Sequence, residues 1–383
     1  MNSAERHEAR YRRRRERRAQ KRLQAQAACG GLDRAVSLES LVAASRKCQC
    51  GVSWKASVQS FCLNRVLMCA RLCRTIEGGS YKPGTAKRSC VHERGKTRSI
   101  SAVPFRDRVV QRALCDRLMV PLVARTLIFD NGASLPNKGT DFSLDRLERH
   151  LRRHFVHHGM AGYIVLFDIH SYFASIDVDR LCALLGKAIP GTRERNLIEL
   201  FLRTEKHGLG LGNQTSQAAA IFYLNSVDHW AQEQAEAESY GRYMDDGYAL
   251  FATRGQARDF LCGLKRRCED LGLALNPKKT RLICMDEPFV YLKVRFQLMP
   301  GGRVARTCDA SKLGRERRRM RAHEKLAASS STFSVADAAQ SYSSWRSTVM
   351  HCDGGNAVLM RMDGFFRSIF CADWHDALHA VTA

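Results

Sequence analysis

Acidic residues at the ends of apolar stretches constrain this chain more than any other feature. The segment YGRYMDDGYALF (Tyr240–Phe251) places Asp245 and Asp246 between apolar runs, and VLFDI places Asp168 directly after a third. Aspartate is a poor strand former, and adjacent carboxylates repel each other. The simpler interpretation is an Asp-Asp-Gly turn in a β-hairpin.

A metal site is the second interpretation of these acids. Two neighbouring strands that each end in carboxylates concentrate negative charge, which divalent cations can neutralise. Mg²⁺ prefers carboxylate oxygens with phosphate oxygens as further ligands. Two such ions can activate a 3′-hydroxyl and stabilise a leaving pyrophosphate. The sequence therefore predicts that Asp168, Asp245 and Asp246 form a site for two Mg²⁺ ions.

The charge of the chain indicates its partner. The 383 residues carry a formal net charge of +24, and 45% of them are hydrophobic, so a basic protein with a large core is expected. Nucleic acid is the favoured acidic partner. A generally basic surface and an anionic membrane surface are the alternatives. We find no signal peptide and no apolar run of about 18 residues, so we expect a cytoplasmic protein without a membrane span.

The cysteines give little support for a structural metal. The chain has 15 of them, with Cys48 and Cys50 in one close pair and Cys69 and Cys73 in another. Neither pair is matched by a second Cys or His pair at zinc-finger spacing. Most of these side chains are therefore expected to be reduced thiols.

Hydrophobic periodicity predicts an α+β protein. Helices are expected from Leu32 to about Ile76, and two short basic strands around Arg94–Lys96. Further along come a helix over Phe142–Phe155, a buried strand ending at Asp168, and a glycine-rich loop that opens a long helix. The segment FVYLKVRFQL is predicted as one strand, and the chain beyond about residue 303 as helical.

In their order along the chain, six segments resemble the motifs of bacterial and phage-type reverse transcriptases. They span about residues 33–300 and read RGKTRSISAVPFRDRVVQRAL, FDIHSYFASID, GLGLGNQTSQAAAIFYLN, YMDD, LGLALNPKKTRLI and FVYLKVRFQL. The resemblance implies a right-hand polymerase fold with fingers, an antiparallel palm sheet with helices, and a helical thumb. The implied parts are a basic N-terminal arm (1–31), fingers (32–158), palm (159–300) and a helical thumb or C-terminal region (301–383).

The resemblance also assigns roles to the acidic motifs. Asp168 and Asp245 would ligate the metal ions, and the backbone carbonyl of Ile169 would add a ligand. Asp246 would be the supporting carboxylate of the pair. Tyr243 and Met244 in the same motif would pack near the primer terminus.

Nucleotide-binding roles follow from the other motifs. The triphosphate would contact Lys96 and Arg98, with Arg98 favoured because a guanidinium binds phosphate in bidentate fashion. Phe173 would lie under the sugar and exclude a 2′-hydroxyl, or pack in the core. Either Lys278 or Lys279 would protonate the pyrophosphate. The loop-helix motif would supply nucleotide contacts from Leu211, Gly212 and Gln214, and either template contacts or helix caps from Asn213, Ser216 and Gln217.

The chain departs from the common family pattern at two places. Gly210, Leu211 and Gly212 stand where many relatives have Pro-Gln-Gly, and the following LGNQTSQ resembles diversity-generating retroelement and defence-associated enzymes. Gly247 stands where many relatives carry a bulky residue.

The implied activity is an RNA-directed DNA polymerase that uses dNTPs to extend a DNA strand, or a protein- or RNA-primed strand, on an RNA template. A cognate non-coding RNA in phage defence is the expected setting, with an accessory protein, a second polymerase or an oligomer as possible partners. Three alternatives stay open. They are a diversity-generating retroelement enzyme, a template-independent DNA polymerase, and a catalytically silent RNA-binding protein on the same fold.

Overall fold

The structure is a computed structural model that describes residues 13–379, apart from 14–15, 18–19, 21–23, 26, 94–95, 190, 309 and 332. The side chains of 92–98 and 310–311 also lie outside the described part. Most of the expected basic arm, 1–31, therefore falls outside the described residues. The rest is an α+β fold with antiparallel sheets, as predicted.

The N-terminal third is a group of helices followed by a hairpin. Ser37 caps the helix Leu38–Gln49 by accepting a hydrogen bond from the Ser40 backbone N–H. In chain order the elements are α1 (Gly31–Ala35), α2 (Leu38–Gln49), α3 (Ala56–Leu63), α4 (Arg65–Glu77), β1 (Lys87–Glu93), β2 (Lys96–Ala102) and α5 (Phe105–Leu114), then a π-helical turn (Cys115–Met119) and α6 (Val120–Ala124).

The middle of the chain builds a four-stranded antiparallel sheet, the central sheet, with the strand order β4-β5-β3-β6. Its elements are α7 (Thr140–His158), β3 (Tyr163–Asp168), α8 (Tyr172–Ser175), α9 (Val178–Ala188), α10 (Thr192–Leu202), α11 (Gln214–Tyr223), α12 (Asn225–Glu233), β4 (Ser239–Tyr243), β5 (Asp246–Phe251), α13 (Arg254–Asp270) and β6 (Arg281–Cys284).

Both faces of the central sheet are covered, which explains the unbroken apolar run of β3. Val165 and Phe167 pack in the larger core together with α11 and α13. Ile164 and Leu166 point to the other face and pack with α7. Alternate side chains of a strand point to opposite faces, so a strand buried on both faces has no polar positions.

The region after β6 differs from the prediction. FVYLKVRFQL is two strands, β7 (Phe289–Tyr291) and β8 (Val294–Leu298), which pair in a hairpin. The chain reverses at Leu292 and Lys293, both in the left-handed region with φ of 44° and 72°. Neither is a glycine or an asparagine, so the turn has no sequence signal. A further strand, β9 (Val304–Thr307), pairs with β8 where a helix was expected.

The C-terminal helices form a core of their own. They are α14 (Ala310–Ser329), α15 (Val335–Val349), α16 (Gly355–Phe370) and α17 (Trp374–His379). Trp345 is buried there and stacks on Tyr342, so it is part of this core. Within the described part of the chain, no helix combines the length and the apolar character needed to cross a membrane.

Packing inside the central sheet accounts for Gly247. This glycine is the direct partner of Phe167 across β3 and β5. A Cβ atom added at Gly247 would lie 2.2 Å from Cζ of the Phe167 ring. The ring is held in place by stacking on Tyr240. A bulky residue at 247 therefore requires a smaller partner at 167.

We expect Gly247→Ala to lower the free energy of unfolding by about 1–3 kcal/mol, because the new methyl group overpacks the sheet. Thermal and urea unfolding of the full chain would measure this. Phe167→Leu in the same chain should recover part of the loss. Gly364→Ala, in a helix where an added Cβ meets nothing within 4 Å, is the control and should not destabilise. Equal effects at 247 and 364 would contradict the packing explanation.

Candidate active site

The three acidic residues meet at one end of the central sheet. Asp168 and Asp246 are direct partners across β3 and β5. Met244 and Asp245 form the turn between β4 and β5, and Met244 adopts a left-handed φ of 54°. The backbone N–H of Ile169 donates to the Asp245 carbonyl over 3.1 Å, which joins the turn to the end of β3.

A buried ion pair supports this turn from below. Arg242 and Asp228 are both inaccessible to solvent, and two hydrogen bonds of 2.6 and 2.7 Å join them. Arg242 Nη1 also donates to the Met244 carbonyl over 2.7 Å, and Nη2 donates to the Ile221 carbonyl. Tyr240 donates to the same carboxylate of Asp228. The strand-to-turn geometry is thereby tied to α11 and α12.

The loop before β6 supplies two partners for Asp168, which is only 3% exposed. The Asn276 side-chain amide donates to Asp168 Oδ1 over 2.9 Å, and its backbone N–H donates to the Asp168 carbonyl over 2.7 Å. Lys279 Nζ contacts Asp168 Oδ2 in an ion pair. The positive charge of Lys279 offsets part of the carboxylate charge.

The negative charge that Lys279 does not offset contributes to raised pKa values of Asp245 and Asp246. Burial, the charge of Asp245 and a hydrogen bond with Asp168 together raise the pKa of Asp246 to about 7. Burial also raises the pKa of Asp245, to which the charge of Asp168 adds. Burial would lower the pKa of Lys279, but its hydrogen bond with Asp168 and the nearby acids raise it. The site therefore favours added positive charge.

Asp245 and Asp246 lie on the wall of a cleft of about 1170 Å³. One side of the cleft is the segment from Asn137 to Phe142, and the other comes from the β7–β8 turn and from α15. Tyr243, Met244 and Lys279 also line it, whereas Lys278 does not. The cleft thus lies between the central sheet and the C-terminal helices.

The structure distinguishes the two neighbouring lysines by position. Lys279 reaches Asp168, whereas Lys278 is exposed and uses its backbone N–H to donate to Asn276 Oδ1. Phe173 is half-buried at the edge of the large core, and its carbonyl accepts a hydrogen bond from Leu209 N–H. This position is compatible with both predicted roles of Phe173.

The loop before α11 packs against the β1–β2 hairpin. Ser101 N–H donates to the Leu211 carbonyl over 3.1 Å. Gly212 has a φ of 101°, and an added Cβ there would lie 3.2 Å from Ile100 and 3.3 Å from the Ser101 carbonyl. The glycine is thus required by the backbone and by the contact with β2. A nucleotide contact at Leu211 and Gly212 stays a prediction.

The residues of α11 that were expected to contact the template differ in their exposure to solvent. Gln217 is exposed, and the half-buried Gln214 donates its backbone N–H to Gln111 Oε1. Ser216 is fully buried, and its contact with a template strand stays a prediction. Asn213 is the N-cap residue of α11, so Ser216 lies inside the first turn of the helix and not at its cap.

The predicted phosphate-binding cations are only partly described. The backbone of Lys96 and Arg98 lies on β2, opposite Glu93 and Val91. Their side chains fall outside the described part of the chain, so their role stays a prediction.

Sequence reasoning missed the residues that hold the acids in place. Asn276 lies inside the quoted LGLALNPKKTRLI motif, and its position two residues before the lysines was the available signal. Arg242 directly precedes the YMDD residues, but a charged residue inside a strand gives no indication of its distant partner Asp228.

Comparisons with known proteins identify a family. A family model described as reverse transcriptase (RNA-dependent DNA polymerase) matches residues 82–296, which is more than half of the chain. A search of curated proteins finds no match. Among solved structures, the apo telomerase from Candida Tropicalis truncated from its C-terminal domain has a TM-score of 0.46 and 11% identity. The similarity covers 58% of this chain and 55% of that chain, so this chain spans about half of that structure.

We expect Asp246→Asn to stabilise the metal-free protein at high pH. A raised pKa means that the folded state prefers the protonated acid, so stability is lost as pH rises through about 7. The melting temperature of the variant in chelator should therefore exceed that of the wild type increasingly between about pH 5 and about pH 8. Asp259→Asn, at an exposed position on α13, should show no such trend. A difference in melting temperature between Asp246→Asn and the wild type that does not change with pH would contradict the raised pKa of Asp246.

Proposed function

The chain belongs to the reverse transcriptase family, and on that premise we propose that it is an RNA-directed DNA polymerase that works with two Mg²⁺ ions. The observation that carries the proposal is that Asp245 and Asp246 line an open cleft and that Asp168 pairs directly with Asp246 across β3 and β5. A turn that only reversed the chain would not need three acids whose mutual repulsion costs stability.

The residues fit divalent cations. Asp168 is buried, and both of its oxygens already bind a donor, one of which is the ammonium of Lys279. The raised pKa of Asp245 and Asp246 indicates charge that is not fully offset. When bound there, Mg²⁺ ions would activate a 3′-hydroxyl and stabilise the leaving pyrophosphate. We assign Asp168, Asp245, Asp246 and the Ile169 carbonyl as their ligands.

The chain's own residues would position the reactants. Arg242 fixes the turn carbonyl of Met244, so Tyr243 and Met244 present a preorganised surface to the primer end. Lys279 is the donor that we assign to the departing pyrophosphate, because its raised pKa keeps it protonated and its ammonium reaches the acids. Phe173, at the edge of the core, is assigned to discrimination against the 2′-hydroxyl.

We further assign residues 32–158 as fingers, 159–300 as palm and 301–383 as thumb, with the cleft between palm and thumb holding the nucleic acid. The net charge of +24 supports RNA template and DNA product as partners. A cognate non-coding RNA in antiviral defence is the setting that we propose, and the loop sequence LGNQTSQ resembles defence-associated and diversity-generating retroelement enzymes alike. The diversity-generating and template-independent alternatives use the same acids, and the cleft does not distinguish them.

The first test uses Asp245→Ala in the full chain. We expect the variant to lose incorporation of dNTPs on a primed RNA template by at least about 100-fold, because a metal ligand is gone. RNA binding, measured by fluorescence anisotropy, should be kept. Asp259→Ala on α13 is the matched control and should stay active. Continued incorporation by Asp245→Ala would overturn the site.

The same assay decides between templated and untemplated synthesis. Product complementary to the RNA supports the proposal, and product formed equally well without RNA supports the template-independent polymerase. A wild-type protein that binds RNA but incorporates nothing at any Mg²⁺ concentration supports the silent RNA-binding alternative.

The second test compares two adjacent lysines. Lys279→Ala should lower the rate of incorporation by about 100-fold, the range of a lost general acid, and should alter the pH–rate profile. Lys278→Ala has the same change in charge one residue away and should stay near the wild-type rate, since Lys278 does not reach the acids. Equal losses in both variants would indicate general electrostatic binding in place of proton donation.

A further inference from the structure

A second cluster of chemically active side chains lies at the other end of the central sheet. His154 and His158 lie one turn apart near the end of α7, and Glu238 directly precedes β4. His154 Nδ1 is 2.7 Å from Glu238 Oε2, and His158 Nε2 is 2.6 Å from Glu238 Oε1. One ligand atom from each of the three residues lies within 4.8 Å of the other two.

The contact between His154 Nδ1 and the Glu238 carboxylate needs a proton or a cation between the two atoms. Its side chain is 1% exposed, and its Nε2 lies 2.8 Å from the Ala161 carbonyl, which can only accept. Nε2 therefore carries the hydrogen, and in the neutral ring Nδ1 carries a lone pair. That lone pair faces a carboxylate oxygen, so the contact requires either a second proton on the ring or a cation.

We propose that His154 Nδ1, His158 Nε2 and the Glu238 carboxylate bind a Zn²⁺ ion. Two imidazoles and one carboxylate form a ligand set that zinc uses, with water in the fourth position. The bond from Nε2 to the Ala161 carbonyl is the outer contact that orients a metal-binding histidine and fixes its tautomer. Imidazole nitrogens favour zinc over Mg²⁺, which prefers oxygen ligands.

The residues around the cluster leave room for the His154 ring and hold Glu238 in place. An added Cβ at Gly162 would lie 2.4 Å from His154 Nε2, so the glycine leaves room for the ring beside the start of β3. Glu238 is held by its backbone N–H, which donates to the Leu250 carbonyl over 3.1 Å. Arg153 donates to the neighbouring Ser239 hydroxyl over 2.9 Å. The ion would thus brace α7 against the start of β4.

Calorimetric titration of the full chain with Zn²⁺ tests the site. The protein is first stripped with a chelator, and the titration contains a thiol reductant and excess Mg²⁺ to occupy the aspartates. We expect one tight site per chain. His158→Gln and Glu238→Gln should each weaken it at least about 10-fold. His157→Gln removes an exposed neighbouring histidine outside the cluster and should bind like the wild type.

Two further readouts separate this site from the cysteines and from a simple ion pair. Co²⁺ bound in place of zinc should show no thiolate charge-transfer band. Zn²⁺ should raise the melting temperature of the wild type and of His157→Gln, but not that of His158→Gln. A thiolate band, unchanged affinity in both ligand variants, or no tight binding would overturn the proposal. The last result would leave a protonated His154 paired with Glu238.

Discussion

The pairing of Asp168 with Asp246 across β3 and β5 is the contact on which the site depends. Two acids at directly opposed positions repel each other, and burial makes the repulsion larger. The central sheet holds them together because both of its faces are packed, so a shift of one residue would exchange the side chains between two closely packed cores. The stability of the sheet therefore offsets the cost of the charge, and a bound cation would recover that cost.

The buried Arg242–Asp228 ion pair holds the turn between β4 and β5 in a similar way. Taking two charges out of water is costly unless every polar atom finds a partner. Here the carboxylate also binds Tyr240, and the guanidinium reaches the carbonyls of Ile221 and Met244. Burial by itself would lower the pKa of Arg242, but the charge of Asp228 raises it, so the pair stays ionised. A permanent charge beneath the turn sets its geometry without being exposed to solvent.

The sequence predicted what depends on periodicity and on short motifs. The apolar run of β3, the acids that follow it and the loop that opens α11 all have local signals. The β7–β8 turn had none, since Leu292 and Lys293 are ordinary residues in left-handed conformations. The choice of Lys279 over Lys278 also needed the structure, because it depends on which side chain the loop after Asn276 turns toward Asp168. The burial of Ser216 depends on packing around α11 that no motif records.

The two ends of the central sheet carry different kinds of metal ligand, so they would select different metal ions. β3 has six residues, so Asp168 and the start of the strand beside His154 lie roughly 17 Å apart. That distance exceeds the Debye length of about 8 Å at physiological salt, so the interaction of the two ions through solvent would be weak. One end offers only oxygen atoms, which suit Mg²⁺, and the other offers two imidazoles, which suit zinc. If the imidazole end binds zinc more tightly, it would fill first, and zinc would reach the acidic cleft only in excess of one ion per chain.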